Sequence, residues 1–569
     1  MTQEKRILLA FALSFLLMMG WRSLYPPPEP PPETQTDEAP VAAEGEAEAP
    51  APAADPAGAP SYATLPVLRG SQAREIIVEN GLYRIVFSTQ GAVVKSWVLK
   101  EYKDSHQEES LREPLDVVNA AACEGVGYPF SLSLESADLT QKVNEALYLT
   151  SPGPNRREAP TEVTFEFSDG QIRVKKTFSF DSSYVVQVDT QVTDGRRNLP
   201  HGIHWYGGFG DRFVRERDFA RFAKVVYGLS AEPEFTDQGD VEGEQRIPGP
   251  LELAGLSDRY FAGIFLPGST DSSFRISKRT WEPPDWTDED KPEIVEMALA
   301  RTEFQSEPLR LFVGPKDLAV LGAVSPSLEA IVDYGWFGFI ARPLFSMLRY
   351  THDHIVSNYG WAIVLVTILI NLALFPLKLK SIRSSQAMQR VAPQIKAIQD
   401  RYKGYKFNDP RKQRMNQEVM ALYKQHGVNP FGGCLPMVVQ IPFLFGFYRV
   451  LDLAIELRQA PFVGWIHDLS ARDPFFILPV TMIVTMFLLQ KMTPTPATDP
   501  AQQRMMKLMP IFFGIFFFTF PAGLVLYWLV GNLVGIGQQV LINRLSKTPA
   551  PVPAGKALPR KGKRADSNR

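Results

Sequence analysis

The run "LMPIFFGIFFFTFPAGLVLYWLVGNLVGIGQQVLI", residues 508–542, decides the fold. As one helix it would be about 50 Å long, against a hydrocarbon core of roughly 30 Å, so it has to fold back on itself. Pro521 and Gly523 in "FPAGLV" supply the break, because proline cannot continue a helical ladder and glycine admits a tight turn. The reading is one span over 508–520 and another within 521–542, helical from residue 524. Two crossings also return the basic tail, 543–569, to the side that holds the other Lys/Arg-rich segments.

Outward from this run, the 569 residues are 45% hydrophobic, and the apolar ones cluster. Residues 7–25, 355–377, 431–453 and 475–492 each approach or exceed the roughly 18–20 residues of a spanning helix. The chain therefore reads as a polytopic α-helical membrane protein with six transmembrane helices. The net charge of −2 conceals an acidic 26–66, a mainly basic 378–424 and a mainly basic tail after Asn543. Lys5 and Arg6 precede the first apolar run, and "LMMGWRSLYPPP" offers no small-residue cleavage site, so 1–25 reads as an uncleaved signal anchor. The N-terminus, 378–430, 493–507 and the tail then fall inside, while 454–474 falls outside. That layout is one of a bacterial inner membrane. Cys123 and Cys434 imply no disulfide framework.

Residues 26–66 are Pro, Ala and Glu with almost nothing to bury, and read as a disordered tether. Over 67–325 the pattern turns to short alternating runs such as "GLYRIVF", "TEVTFEF", "IRVKKTFSF", "SYVVQVDTQV" and "LRLFVG", the signature of a large antiparallel β-sandwich. Residues 326–354 mix Trp336, Phe337, Ile340, Phe345 and Leu348 with charges, which suits an amphipathic helix in the membrane interface. In 378–430, Met388, Val391, Ile395, Ile398 and Tyr402, then Met415, Val419 and Leu422, recur at spacings of three and four, predicting a cytoplasmic helical hairpin.

Enzyme signatures are missing: the chain has no P-loop, no HExxH, no GxSxG and no dinucleotide fingerprint. No cofactor or metal is expected. His201 and His204 have a metal-like separation, but in an alternating strand they point to opposite faces, and "THDH" at 351–354 reads as the polar face of the interfacial helix. Ser381 beside Lys378 and Lys380 suggests a serine–lysine dyad only weakly, since lysines belong at the inner end of a span. The spans carry uncharged polar residues instead: Thr367 and Asn371 on one face, Gln440, and then Thr519, Asn532, Gln538 and Gln539. Each taken alone is helix glue, contributing about 0.6 kcal/mol. Together, and mostly without titratable partners, they describe a wetted surface that handles a polar polymer passively rather than an ion-coupled pump.

The segments "NPFGGCLPMVVQIPFLFGFY", "ELRQAPFVGWIHDLSARDPFFILPV", "QKMTPTPATDPAQQRMMKLMP" and "FPAGLVLYWLVGNLVGIGQQ" resemble the YidC family of membrane protein insertases, densely over about 330–545. The anchor and β domain resemble the Gram-negative form in layout. The resemblance implies a five-helix core around a hydrophilic groove open to cytoplasm and lipid, a periplasmic supersandwich, and a mobile basic hairpin. It places Thr367, Asn371, Gln440, Thr519, Tyr527, Trp528 and Asn532 along the groove, and Met388, Val391, Ile395 and Met415 in the hairpin's contacts. Asn371 falls where many members place a single Arg, and Trp528 where the second Tyr of a pair is usual, which are this chain's departures. The implied activity is insertion of transmembrane segments without nucleotide hydrolysis. The implied partners are nascent inner-membrane proteins, the Sec translocon, the ribosome through the basic loop and tail, and the bilayer, with no nucleic-acid specificity. A secondary transporter or channel is the rival, but the spans show no pair of similar halves.

Overall fold

The computed structural model describes residues 65–105, 109–211, 223–229, 233–267, 273–280, 293–301, 308–405, 409–428, 435–493, 508–512 and 514–545. They form two compact units that divide between Gly314 and Pro315. The expected anchor at 1–25, the tether apart from its last two residues, the loop from 494 to 507 and the tail beyond Leu545 lie outside the described residues.

The first unit is built of strands, as the two-residue alternation predicts. All five quoted runs form strands: Tyr83–Ser88, Thr161–Ser168, Arg173–Phe180, Val185–Thr193 and Leu309–Pro315. Among the described residues the unit has sheets of five, nine and five strands; Tyr83–Ser88 lies in the first of them and the other four runs in the nine-stranded sheet. The pairing departs from the antiparallel expectation where Glu75–Glu79 runs parallel to Arg156–Glu158 at a sheet edge, while pairing antiparallel with Tyr83–Ser88 on its other side. The inner faces of all three sheets meet in one aromatic core. Phe87 packs on Phe178 at 4.8 Å and Phe165 at 5.5 Å, Phe130 on Phe178 at 5.0 Å, and Trp97 on Trp205 at 6.0 Å. Such rings dominate the burial energetics of the sheets.

Strand Arg173–Phe180 buries Val174, Lys176, Phe178 and Phe180 on one side, so a lysine occupies a position that the alternation reserves for apolar residues. Lys176 Nζ donates to the carbonyls of Gly91 (2.7 Å), Phe130 (2.8 Å) and Ala92 (3.2 Å), which matches the three donors of an ammonium. All three acceptor residues have left-handed backbone, at φ +72° for Gly91, +48° for Ala92 and +71° for Phe130. For Ala92 and Phe130 that conformation is unfavourable, and the ammonium offsets it. Burial pushes the Lys176 pKa down to about 7. His201 and His204 share the strand His201–Trp205 but turn to opposite faces: His201 joins Thr190 at 2.7 Å, and His204 stacks on Tyr206.

In the second unit, seven helices are α1 (Gly338–His354), α2 (Tyr359–Ala373), α3 (Phe375–Arg401), α4 (Pro410–Gln425), α5 (Leu435–Leu453), α6 (Ile477–Met492) and α7 (Ala522–Leu545). The break expected at Pro521 and Gly523 falls at Pro521 alone: Phe517–Thr519 tightens into a 3-10 turn, Phe520 is extended, and α7 starts at Ala522, so Gly523 is already helical and the helix begins two residues before the expected 524. By length and hydropathy, among the described residues Ala522–Arg544 alone is long enough to cross a membrane, and α2 with α3 qualifies as a pair bent by 55°. Pro376, which has no N–H to continue the ladder, sits at this bend. Helix α1 buries Ala341, Leu344, Phe345 and Leu348 while Phe339 and Tyr350 stay exposed. Helices α3 and α4 form a hairpin around Met388, Val391, Ile395, Ile398, Val419 and Tyr423, with Met415 and Tyr402 packed against it. The hairpin is tied by Glu418, which accepts from Arg401 and Tyr402 at 2.9 and 2.8 Å.

Substituting Lys176→Met strands three buried carbonyls and two left-handed residues, and should cost about 2–4 kcal/mol in denaturant unfolding of the β unit. Because the folded pKa is depressed, the unfolded chain takes up a proton between about pH 10.5 and 7 that the folded chain does not, so acidification across this window weakens folding. The wild-type protein should therefore gain stability relative to the variant between pH 7 and 9, as paired unfolding curves at the two pH values would measure.

Candidate functional site

Helix α7 is fixed at its start by a loop. A helix leaves its first N–H groups without partners, and here Ala522 N donates to the carbonyl of Ala471 (2.7 Å) and Gly523 N to that of Leu469 (2.9 Å). The approach favours glycine at 523, since a Cβ there would lie a tight 3.1 Å from the Leu469 oxygen. Two aspartates shape the same loop. Asp473 accepts from Trp465 Nε1 (2.9 Å) and from the backbone N–H of Leu478 at the start of α6 (2.6 Å), and Asp468 accepts from Gln459 N (3.0 Å) and Ser470 N (2.8 Å).

Tyr527 and Gln538 stand three turns apart on one face of α7, with Gly531 between them. Buried Tyr527 stacks on Phe447 at 4.4 Å, and its hydroxyl accepts from Gln440 Nε2 of α5 at 3.3 Å. A Cβ at Gly531 would touch Asn371 Nδ2 at 3.9 Å, so α2 passes against this glycine. Asn371, 3% exposed, donates to the Thr367 carbonyl at 2.8 Å. Gln538 Nε2 donates to the Asn371 carbonyl at 3.0 Å, while Lys378 Nζ donates to Asn371 Oδ1 at 2.9 Å and to Gln538 Oε1 at 3.4 Å. Two polar contact groups, Gln440 with Tyr527, and Asn371 and Lys378 with Gln538, thus lie about 16 Å apart along one face of α7 and together make a polar stripe beside it. Gln440, Gln538 and Lys378 are half-buried, and no carboxylate among the described residues pairs with Lys378.

The other sequence-derived positions lie elsewhere. Thr367 is buried and turns its hydroxyl onto its own helix, to the Ile363 carbonyl at 2.6 Å. Asn532 faces α6, where its Nδ2 donates to Thr485 Oγ1 at 3.3 Å. Trp528 is half-buried and packs edge-on against Phe517 at 4.9 Å, and Thr519 is exposed, its hydroxyl on the Phe516 carbonyl. Lys378 is the stripe residue that sequence reading set aside as an inner-end lysine. Its spacing of seven from Asn371, two helical turns, is the signal that links them.

The C-terminal part, residues 351–549, matches the family model described as 60Kd inner membrane protein, and residues 75–347 match that of the YidC periplasmic domain. A membrane protein insertase YidC of Geotalea daltonii is 34% identical over 95% of this chain and 99% of its own. That of Citrifermentans bemidjiense is 36% identical over 83% of this chain and 86% of its own. A solved structure described as an active YidC insertase with its first transmembrane domain resolved aligns at 19% identity and a TM-score of 0.34, covering 84% of this chain and 94% of that one.

The Asn532–Thr485 contact is a test of helix glue. In a double-mutant cycle with Asn532→Ala and Thr485→Ala, the coupling should be about 0.6 kcal/mol, and below about 1.7, read from unfolding in detergent.

Proposed function

We infer the function from one premise: this chain belongs to the YidC family of membrane protein insertases. It inserts membrane proteins, and has a β-rich periplasmic domain and a helical C-terminal region of the inner membrane. We propose that the polar stripe along α7 is the wall of the groove through which hydrophilic parts of a substrate pass. The observation that supports this is a pair of polar contact groups on one face of α7, Gln440 with Tyr527 and Asn371 with Gln538 and Lys378, in which Gln440, Gln538 and Lys378 are half-buried.

The mechanism follows from what insertion costs. A charged residue at the bilayer centre costs roughly 2.5–3.5 kcal/mol on insertion scales, while each Leu gains only about 0.3–0.6. Amides and a hydroxyl that keep water part of the way across shorten the dry barrier for a substrate's polar tail. The short helix before Pro521 thins the bilayer beside it through mismatch. An apolar substrate segment then partitions sideways into lipid, which drives the reaction without nucleotide hydrolysis. In this reading the chain crosses six times, both ends and the α3–α4 hairpin lie in the cytoplasm, the β unit is a supersandwich, and the partners are nascent membrane proteins, the Sec translocon and the ribosome.

Asn371→Leu should slow insertion of substrates with charged tails by several-fold in proteoliposomes and leave those with short neutral tails nearly unchanged. In a cysteine-free background, Gln538→Cys and Gln440→Cys should react with a membrane-impermeant maleimide added from the cytoplasmic side, and Asn532→Cys should stay protected. Equal protection of all three would remove the groove from this face of α7.

A further inference from the structure

The starts of three helices are held by one loop. Asn358, the cap of α2, accepts from Trp361 N at 3.1 Å and donates through Nδ2 to the carbonyls of Pro461 (3.0 Å) and Phe462 (3.5 Å). The Phe462 ring lies directly on the backbone of buried Gly360, where any Cβ would overlap it, and it meets Trp361 edge-on at 5.5 Å. Further along the same loop, the carbonyls of Leu469 and Ala471 receive the first N–H groups of α7, and Asp473 receives that of Leu478 in α6. Leu469 N donates to the Ala460 carbonyl (3.0 Å) and Phe462 N to that of Ile466 (2.9 Å), so the parts that grip α2 and α7 are tied to each other. The two helices also touch there, since a Cβ at Gly523 would lie 3.5 Å from Ile363 Cδ1. Toward their other ends α2 and α7 are joined by side-chain bonds, such as the one from Gln538 Nε2 to the Asn371 carbonyl.

We propose that Asn358, Gly360 and Phe462 are positioning residues for insertion: they fix the starts of α2 and α7 to the 454–474 loop, so that the groove admits a polar segment by parting these helices only at their Asn371 and Gln538 ends. This rests on the groove assignment above. The two ends differ in what can replace their bonds. At the starts the partners are loop carbonyls and a ring packed on backbone, and parting them would strand helix N–H groups beside hydrocarbon. Near Asn371, Gln538 Nε2 rests on a carbonyl oxygen, and a substrate amide or a water offers the same bond, so the exchange costs little. Gly360 and Asn371 are 11 residues apart. That is about 16 Å of helix, so a rotation of about 20° about the start opens about 5 Å at the end, the width of one extended chain. A change at the start therefore alters insertion without touching the polar stripe.

The test uses the full chain in proteoliposomes, with Cys123→Ala and Cys434→Ala. Spin labels near the starts sit on Leu365→Cys of α2 and Val480→Cys of α6, and labels near the ends on Leu372→Cys of α2 and Leu541→Cys of α7, all exposed positions. A single-span substrate whose polar tail carries a folded domain stalls in transit. It should lengthen the distance between the end labels and leave the start labels unmoved, and a photoreactive residue at Gln538 should capture the stalled tail. Capture with both pairs moving alike, or with neither moving, would overturn the proposal, whereas no capture would fall on the groove reading instead. Gly360→Ala should push Phe462 off α2, broaden the distribution of the start labels and slow insertion several-fold. Adding Phe462→Leu, which makes room for the methyl, should restore both. Asn358→Asp keeps the acceptor for Trp361 N but sets a carboxylate against the Pro461 carbonyl, and should give the same broadening with α2 still capped. Start labels that stay narrow in both variants, wild-type insertion rates despite broadening, or a Gly360→Ala defect that Phe462→Leu leaves in place would each overturn the positioning role.

Discussion

Backbone groups in or near hydrocarbon have to be satisfied by the protein itself, and the helical unit meets this demand at the start of α7 with two carbonyls, those of Leu469 and Ala471. The demand explains why the preceding loop is built so rigidly. Asp473 holds the Leu478 N–H at the start of α6 and the Trp465 indole, and Asp468 closes the turn that presents the Leu469 carbonyl. Once α7 is held by its end, its faces have fixed neighbours. Tyr527, Gly531 and Gln538 meet α5, α2 and the start of α3, while Asn532 meets α6.

The bend at Pro376 completes the stripe. In a straight helix Asn371 and Lys378 would be separated by about 10.5 Å along the axis. With the chain turned by 55° after Ala373, the long lysine side chain folds back and its nitrogen reaches the asparagine oxygen at 2.9 Å. A position that lacks a cation in its own side chain thus acquires one from seven residues further on.

Much of this is legible in the sequence wherever a local rule acts alone. The two-residue period marks strands such as Thr161–Ser168, the spacing of Met388, Val391 and Ile395 marks the hairpin, and Pro521 marks the break before α7. Legibility fails where a residue's meaning depends on distant chain. Lys378 reads as one more inner-end lysine until the bend brings it to Asn371 and Gln538. Gln440 and Tyr527 are 87 residues apart, and nothing in either segment announces the other. Lys176 is hidden for the opposite reason: the alternation assigns its side to the core, but a lysine is expected to turn outward, and only the three carbonyls explain why it does not.

That lysine also bears on how the β unit reaches its native state. Its three carbonyl partners lie 85, 84 and 46 residues away in sequence, in two separate turns. A half-assembled sheet stack would enclose an ammonium with too few acceptors, a state much less favourable than either the open chain or the finished one. Intermediates with a closed but incomplete core are thereby depopulated, and the strands, the Gly91–Ala92 turn and the Phe130 turn are made to close together. A single buried lysine inside the β unit therefore ties the formation of two distant turns to the closing of the core.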